Sequence, residues 1–167
     1  MDIRSPRPDE YFEIAKVWYE SAGRIEGGAP RLDEPRGLAE RIECEIAIGR
    51  CWQVATVDGR VVGLLAINFE NRVLEQLFVA HRAQRGGIGT ALLDWAKCQL
   101  PNGFTLRTAI TNAAAQRFYE RHGLRALEDG SHPKTGDPVR YFEWPSAEAL
   151  ASAAATGRAI SPRTVLK

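Results

Sequence analysis

A glycine-rich turn at residues 84–90 limits the folds open to this chain, because it separates two segments of different periodicity. Residues 73–79 before it are apolar and β-prone, whereas residues 88–99 after it repeat apolar side chains at helical spacing. A strand, turn and helix in this order leave backbone amides unpaired at the positive end of the helix. The three glycines let the backbone approach an anion, because a Cβ there would stand in its way. The turn therefore predicts a site for a phosphate or pyrophosphate.

The spacing within the turn excludes two familiar nucleotide-binding motifs. A Walker-type loop needs a lysine directly after its last glycine, and none follows here. A dinucleotide fingerprint needs Gly or Ala three residues after its second glycine, where this chain has Leu92, and no acidic residue ends a second strand about 20 residues on. What remains is Q-x-x-G-x-G, formed by Gln84, Gly87 and Gly89. A nucleotide-binding switch is therefore disfavoured.

A second strand and helix follow at residues 104–124. Residues 104–110 alternate like a strand, and the next segment is typical of a capped helix. Asn112 suits the N-cap, and Gly123 suits the left-handed position that ends a helix. The segment from Asn112 onward has the pattern N-x-x-A-x-x-F-Y-x-x-x-G-L.

The two motifs, in this order, resemble those of the GNAT superfamily of acetyl-CoA-dependent N-acetyltransferases. The resemblance covers roughly residues 52–144. The order of the predicted elements indicates an α+β domain, residues 1–145, with one central, mostly antiparallel sheet. The resemblance implies helices on both faces of this sheet and a splayed pair of parallel strands. It also implies that acetyl-CoA, as co-substrate, lies in the opening between those two strands.

The resemblance further implies which residues hold acetyl-CoA. Backbone groups of the strand before the turn would pair with the pantetheine arm, and the amides of the turn would take the pyrophosphate. The Arg85 guanidinium would add a charge-assisted contact to a phosphate. The predicted cofactor-binding residues are Leu77, Phe78, Val79, Gln84, Arg85, Gly86, Gly87, Ile88, Gly89, Thr90 and Asn112.

Tyr119 aligns with the general acid of the family, a phenol that protonates the departing thiolate. The alternative is a purely structural role, because Phe118 and Tyr119 lie on a helix that must pack on the sheet. We predict a core role for Phe118 and a catalytic role for Tyr119.

Glu75 is the candidate base, because it lies on the strand that leads into the turn. Regular alternation would place it on the same face as Leu77 and Val79. Its carboxylate would take a proton from the attacking ammonium, directly or through water. Two alternatives stay open: Glu75 only orients the amine, or it pairs with Arg72 or Arg107. Some family members carry a glutamate near the position that Arg107 occupies here, so their mechanism does not transfer directly.

Composition excludes several other classes of protein. Lys+Arg 22 against Asp+Glu 21 gives a net charge of +1, which does not indicate nucleic-acid binding by bulk charge. No apolar run approaches the roughly 18 residues that span a bilayer, and the first ten residues do not resemble a secretory signal. Three cysteines without a CxxC pair, and histidines without ligand spacing, predict a cytoplasmic protein without a metal.

The rest of the chain is consistent with this architecture. Asp9 is predicted to cap a first helix, Pro35 to open a second, and Asp58-Gly59 to join two strands in a hairpin. Two more strands are predicted at residues 124–128 and 139–144, around a Gly/Pro-rich loop. Residues 146–167 are Ala-rich and are predicted to form an appended helix or a loose tail.

The predicted activity is transfer of an acetyl group from acetyl-CoA to a primary amine, of a small molecule or a peptide, by direct attack. We expect the acceptor pocket to be built by the first two helices, the loop around Gly27 and the last hairpin, with Trp18, Tyr19 and Trp144 as candidate lining residues. The alternative is a non-catalytic acyl-CoA-binding sensor or interaction module. The oligomeric state, monomer or homodimer, stays open.

Overall fold

A mixed seven-stranded sheet organises the part of the chain that the computed structural model describes, residues 1–25, 33–146 and 151. The strands are β1 (Asp2–Arg4), β2 (Cys51–Val57), β3 (Arg60–Asn68), β4 (Val73–Val79), β5 (Phe104–Ala109), β6 (Arg125–Ser131) and β7 (Pro138–Trp144). The helices are α1 (Tyr11–Ala22), α2 (Pro35–Ala47), α3 (Ile88–Gln99) and α4 (Ala113–Arg121), with short 3-10 turns at Pro8–Glu10 and His81–Ala83. The strand order is β1-β2-β3-β4-β5-β7-β6.

Strands β4 and β5 form the parallel pair of this sheet, and they separate almost at once. Their ladder consists of one bridge, Val73 opposite Thr105, where the Thr105 amide donates to the carbonyl of Arg72 at 3.0 Å. On their outer sides, β4 pairs with β3 and β5 pairs with β7 in longer antiparallel ladders. The predicted α+β domain, with a mostly antiparallel sheet and a splayed parallel pair, is confirmed.

Helices cover both faces of the sheet, as predicted. Helices α1 and α2 pack over one face around Trp18, and α3 and α4 pack over the other around Leu92. The contact of α3 with β3 is close because residue 63 is a glycine. A Cβ at Gly63 would lie 3.0 Å from Cδ1 of Leu92 and 3.1 Å from Cγ2 of Ile88. Glycine at this position therefore lets α3 approach the sheet beside the splay.

The N-terminal segment differs from the sequence prediction. Asp9 was predicted to cap α1, and this is wrong: Asp9 lies inside the 3-10 turn, and the N-cap of α1 is Glu10. The Glu10 carboxylate is buried and accepts hydrogen bonds from the Arg4 guanidinium at 2.6 and 2.8 Å and from the Arg7 amide at 2.8 Å. Strand β1, which the sequence analysis missed, is joined to α1 by this cluster.

The last hairpin is also longer than predicted. Strand β6 continues to Ser131, which pairs with Pro138 of β7, so the loop between them is shorter than the Gly/Pro-rich stretch suggested. Backbone pairing with β7 overrides the weak strand propensity of Gly130. The loop around Gly27 and nearly all of the predicted C-terminal extension lie outside the described residues. None of the described helices has the length and apolar character needed to cross a membrane.

We expect Glu10→Gln to lower the free energy of unfolding by about 2 kcal/mol at pH 7, because it removes a buried charge-assisted pair. Hydrogen bonds from Arg4 lower the pKa of the Glu10 carboxyl from 4.5 to about 2, despite the opposing effect of burial. The folded-state pKa is therefore depressed, and the stabilisation is full above pH 4.5 and is lost as the pH falls toward 2.

Urea unfolding of wild type and Glu10→Gln between pH 7 and pH 2.5 measures this difference. The matched control is Asp9→Asn, because the Asp9 side chain is 76% exposed and makes an exposed contact with Arg7. A Glu10→Gln effect that does not shrink at low pH would show that the loss comes from packing rather than from charge.

Candidate active site

The splay between β4 and β5 opens a cleft of about 1600 Å³ that reaches both faces of the sheet. Its walls come from the two strands, from the first turn of α3, from α4, and from parts of α1, α2 and the β6–β7 loop. The sequence motifs therefore meet in space, because both lie at the ends of the diverging strands.

The glycine-rich turn presents a row of free backbone amides to this cleft. Gly87 takes the left-handed conformation with φ of 79°, which a side chain would strain, and α3 begins after it without a side-chain cap. The first amide of the helix to find a backbone partner is that of Ala91, which donates to the Gly87 carbonyl at 3.0 Å. Within the described residues, the amides of residues 85–90 donate no hydrogen bond. Four of these six residues, Arg85, Gly87, Gly89 and Thr90, line the cleft. Unpaired donors at a helix N-terminus are suited to binding an anion.

Gly89 keeps the gap between α3 and α4 open. A Cβ at Gly89 would lie 3.5 Å from the Phe118 ring and 3.6 Å from Cγ2 of Val79. These are ordinary contact distances, so a small side chain fits there but fills the gap. Gly86 lines a separate depression on the far side of the turn rather than the cleft.

Strand β4 offers part of its backbone to the splay. The Ala80 amide donates to the Val62 carbonyl of β3 at 2.8 Å. In an antiparallel ladder the backbone N–H and C=O groups of every second residue point to the same neighbour, so those of Phe78 also point to β3. Leu77 and Val79 turn theirs toward the splay. The Val79 carbonyl already accepts hydrogen bonds from the side chains of Ser21 and Gln84, each at 3.3 Å. Leu77 is therefore the residue whose amide and carbonyl are both placed to pair with an extended ligand.

Side-chain contacts fix the positions of the elements that form the cleft, and they are made by Gln84, Thr90 and Asn112. The Gln84 side chain joins the start of the turn to β4 by donating to the Val79 carbonyl, and the Asn112 side chain caps α4 by accepting from the Ala115 amide at 3.1 Å. The Thr90 hydroxyl lies 2.9 Å from Nε2 of His122, whose Nδ1 lies 2.7 Å from a carbonyl and therefore carries the proton. This link between α3 and α4 had no signal in the sequence, because the two residues belong to different motifs.

Tyr119 fits both roles that the sequence left open. Its ring packs against Phe142 and Phe118 at centroid distances of 5.5 and 5.4 Å, and the residue also lines the cleft. Its hydroxyl has no hydrogen-bond partner within residues 1–25 and 33–146. Burial raises the pKa of the Tyr119 phenol well above its usual range, so the hydroxyl stays protonated. A buried ring thus delivers a protonated phenol to the cleft.

Glu75 does not lie where regular alternation would place it. Ile67 of β3 pairs with Leu74 and Ala66 pairs with Gln76, so Glu75 is the extra residue of a β-bulge. The bulge turns its carboxylate to the α1 and α2 face, where Asn68 donates a long hydrogen bond to it at 3.4 Å. The prediction that Glu75 shares a face with Leu77 is wrong, because one inserted residue reverses the side-chain alternation.

The ion pairs considered for Glu75 are not formed. Within the described residues no salt bridge joins Glu75 to Arg72 or to Arg107, and Arg72 donates instead to the Asn102 carbonyl at 3.2 Å. Glu75 is partly buried and lines the cleft. Its carboxylate is therefore available to a ligand.

The α1 and α2 side of the cleft carries basic residues that the sequence analysis did not group. His132 of the β6–β7 loop accepts the amides of Lys134 and Thr135 at its Nδ1, each at 3.2 Å, which assigns its proton to Nε2. Burial, followed by the nearby charge of Arg107, lowers the pKa of the His132 imidazole. Arg41 of α2 lies over the Trp18 ring at 5.0 Å. Only the fold brings these elements to one wall.

The cleft is lined largely by the elements predicted for the acceptor pocket. Helices α1 and α2 and the last hairpin all contribute to the cleft, and Trp18 lines it. Tyr19 and Trp144 are not among its lining residues, since Tyr19 is turned outward and Trp144 packs under the Lys97 ammonium at 4.1 Å. Among the described residues, no group of three or more His, Cys, Asp or Glu side chains is arranged to hold a metal ion.

Comparison with known proteins agrees with this architecture. Residues 47–125 match the family described as the acetyltransferase (GNAT) domain. The chain is 31% identical over 93 residues to the peptidyl-lysine N-acetyltransferase YiaC of Escherichia coli, which covers 56% of this chain and 62% of that protein. It is 36% identical over 85 residues to the uncharacterized N-acetyltransferase MJ1530 of Methanocaldococcus jannaschii, covering 45% of this chain and 53% of that one. These matches therefore span little more than half the length of the relatives.

The fold has close counterparts among solved structures. The acetyltransferase yncA of Salmonella typhimurium, described with acetyl-CoA as its cofactor, superposes with a TM-score of 0.67 at 16% identity, covering 88% of this chain and 94% of that one. Taken with the relatives, the splayed sheet and its glycine-rich turn, the domain match assigns residues 47–125 to the acetyltransferase (GNAT) domain family.

Proposed function

We propose that this protein transfers an acetyl group from acetyl-CoA to a primary amine by direct attack, without an acetylated enzyme intermediate. The observation that carries this proposal is the row of unpaired amides at residues 85–90, of which Arg85, Gly87, Gly89 and Thr90 line the same cleft as a protonated phenol, Tyr119. The first feature matches the pyrophosphate of CoA, and the second matches the thiolate that departs. The solved relative described with acetyl-CoA supports this choice of co-substrate.

The pantetheine arm would lie along β4, where Leu77 offers an amide and a carbonyl to the splay. The arm would then pair with the backbone groups of β4 that have no partner in β5. The thioester would then lie near the bulge, between Glu75 on one face of the sheet and Tyr119 on the other.

The reaction forms one C–N bond and breaks one C–S bond. The neutral amine attacks the thioester carbonyl, the tetrahedral intermediate collapses, and CoA leaves as a thiolate. The Tyr119 hydroxyl donates a hydrogen bond to the sulfur and its proton as the C–S bond breaks. Because burial raises its pKa, the phenol keeps its proton until the thiolate forms beside it. The amine loses its proton to Glu75, directly or through water.

We expect CoA at about 100 times its dissociation constant to stabilise the wild type by about 2.7 kcal/mol and to raise the melting temperature by about 5 to 10 °C. Gly89→Asp should remove this shift, because a carboxylate at the N-terminus of α3 repels the pyrophosphate. The fold should survive, since an acidic residue in the first turn favours the helix. Thermal shift with and without CoA is the measurement.

Gly89→Asn is the matched control, because it has the same size without the charge. It should retain part of the shift that Gly89→Asp loses. Gly87 is less suited to this test, since its φ of 79° makes any side chain there strain the turn. A wild type without a shift in millimolar CoA would exclude the proposed cofactor.

We expect Tyr119→Phe to reduce turnover by about 10²–10⁴-fold while leaving CoA affinity nearly unchanged, because it removes only the hydroxyl. Release of free thiol from acetyl-CoA in the presence of an amine measures turnover. Tyr11→Phe, which removes a hydroxyl on α1 outside the cleft, is the control and should match the wild type. Equal rates for wild type and Tyr119→Phe, with chemistry rate-limiting, would return Tyr119 to a structural role.

We expect Glu75→Gln to slow turnover at neutral pH and to recover rate as the pH is raised, because the amine then loses its proton without help. If Glu75 only orients a cationic substrate, the variant instead shows a raised KM with turnover near wild type at saturation. Profiles of kcat and KM against pH separate the two roles, and Glu70→Gln in the exposed turn before β4 is the control. Wild-type kinetics of Glu75→Gln at every pH would remove Glu75 from the mechanism.

The same thiol assay tests the non-catalytic alternative. A CoA-binding module would show the thermal shift but no thiol release with any amine. A cytoplasmic location and a homodimeric state stay predictions.

A further inference from the structure

The acceptor side of the cleft has an excess of positive charge. Among the described residues that line the cleft, the carboxylates are Glu75 and Asp137, and Asp137 accepts a hydrogen bond from the Thr135 hydroxyl. The α1 and α2 side is lined by Arg41, Arg107 and Lys134. A polycationic acceptor would meet repulsion along this wall, whereas an anionic group would be attracted.

Glu75 and Arg107 occupy equivalent positions on the two strands that separate. The last bridge joins Val73 to Thr105, and each of the two charged residues follows two positions later on its own strand. Arg107 lies on the opposite face to Leu106, which packs in the core under α3, and so faces the α1 and α2 side. The bulge turns Glu75 to the same side. A carboxylate and a guanidinium therefore flank the opening of the splay.

Among the residues that the structure describes, the Arg107 guanidinium has no hydrogen-bond or ion-pair partner. The residue is half-buried. Arg41, by contrast, is held by Glu45 at 2.7 Å. Arg107 lies near the His132 imidazole, whose pKa is lowered by burial and then by the Arg107 charge. A partly desolvated guanidinium without a partner is the arrangement that binds a carboxylate.

We propose that the acceptor is a small amine that also carries an anionic group such as a carboxylate, with the amine against Glu75 and the anion on Arg107. The Nε2–H of His132 is a further donor on the same wall. This inference rests on the proposed function and narrows its substrate class. Peptidyl lysine and polyamines, which lack an anion beside the reactive amine, are the competing acceptors.

The test compares each of the amino acids with its carboxamide, using acetyl-CoA and thiol release. The carboxamide keeps the size and the amine and removes only the negative charge. We expect kcat/KM for the preferred amino acid to exceed that of its amide by at least about tenfold. In Arg107→Gln this ratio should fall close to one through a raised KM for the amino acid, while the KM for acetyl-CoA and the thermal shift with CoA stay unchanged. Arg60→Gln, at the exposed start of β3 and outside the cleft, is the control and should keep the wild-type ratio.

Several outcomes would overturn the inference. An acid-to-amide ratio near one in the wild type, or the same ratio in wild type and Arg107→Gln, would exclude an anion on Arg107. Preferential acetylation of a lysine peptide or of spermidine would overturn it and leave the proposed function intact. If no amine releases thiol, the proposed function fails. Calorimetric titration of the amino acids and of their amides into the CoA complex then measures the binding preference separately. Equal affinities for acid and amide would overturn the inference.

Discussion

The divergence of β4 from β5 is the constraint on which the rest of this structure depends. Two strands in the middle of a sheet leave a row of backbone donors and acceptors without partners, which is costly when those groups are buried. The divergence persists because each strand is held by its antiparallel neighbour on the other side. An extended ligand that pairs with the free edge of β4 would satisfy those groups, so the defect in the sheet is also the basis of a binding site.

The glycine residues near the splay have different physical roles. Gly63 permits close packing of α3 on β3, Gly87 permits a left-handed turn, and Gly89 keeps α3 apart from Phe118 of α4. These roles together place the N-terminus of α3 at the mouth of the cleft with its amides unpaired. The positive end of the helix and the free backbone edge of β4 would therefore suit the proposed co-substrate, which is elongated and anionic.

The proposed acid and the proposed base lie on opposite faces of the sheet. Tyr119 comes from the α3 and α4 side, where burial keeps its phenol protonated, and Glu75 comes from the α1 and α2 side through the bulge. The acid and the base of an acetyl transfer would thus approach the thioester from opposite faces, and they would not exchange a proton directly. The basic wall around Arg107 lies on the face of Glu75, which is the face by which an acceptor amine would enter.

Local sequence was sufficient to predict the two strand–turn–helix units and the row of unpaired amides, because these features depend on periodicity, on glycine and on capping, which act over a few neighbouring residues. The helices on both faces of the sheet were implied by the family resemblance. The cap of α1 at Asp9 was predicted wrongly, because the buried interaction of Glu10 with Arg4 joins residues from two elements and outweighs a local capping preference. Strand β1 was missed for a similar reason, since it pairs with the distant strand β2, and the last residues of β6 were missed because their strand character comes from pairing with β7 rather than from their own propensity.

The amino-acid sequence by itself therefore determined the fold class, the position of the glycine-rich turn with its unpaired amides, and the candidacy of Tyr119 and Glu75. Only the tertiary structure decided which way Glu75 faces, because a bulge is set by the register of β3 against β4 and has no local signal. It also decided that Arg107, His132 and Arg41 share one wall, since these residues come from β5, the β6–β7 loop and α2. Charged residues that are far apart in sequence form one surface only when strand order and helix packing bring them together.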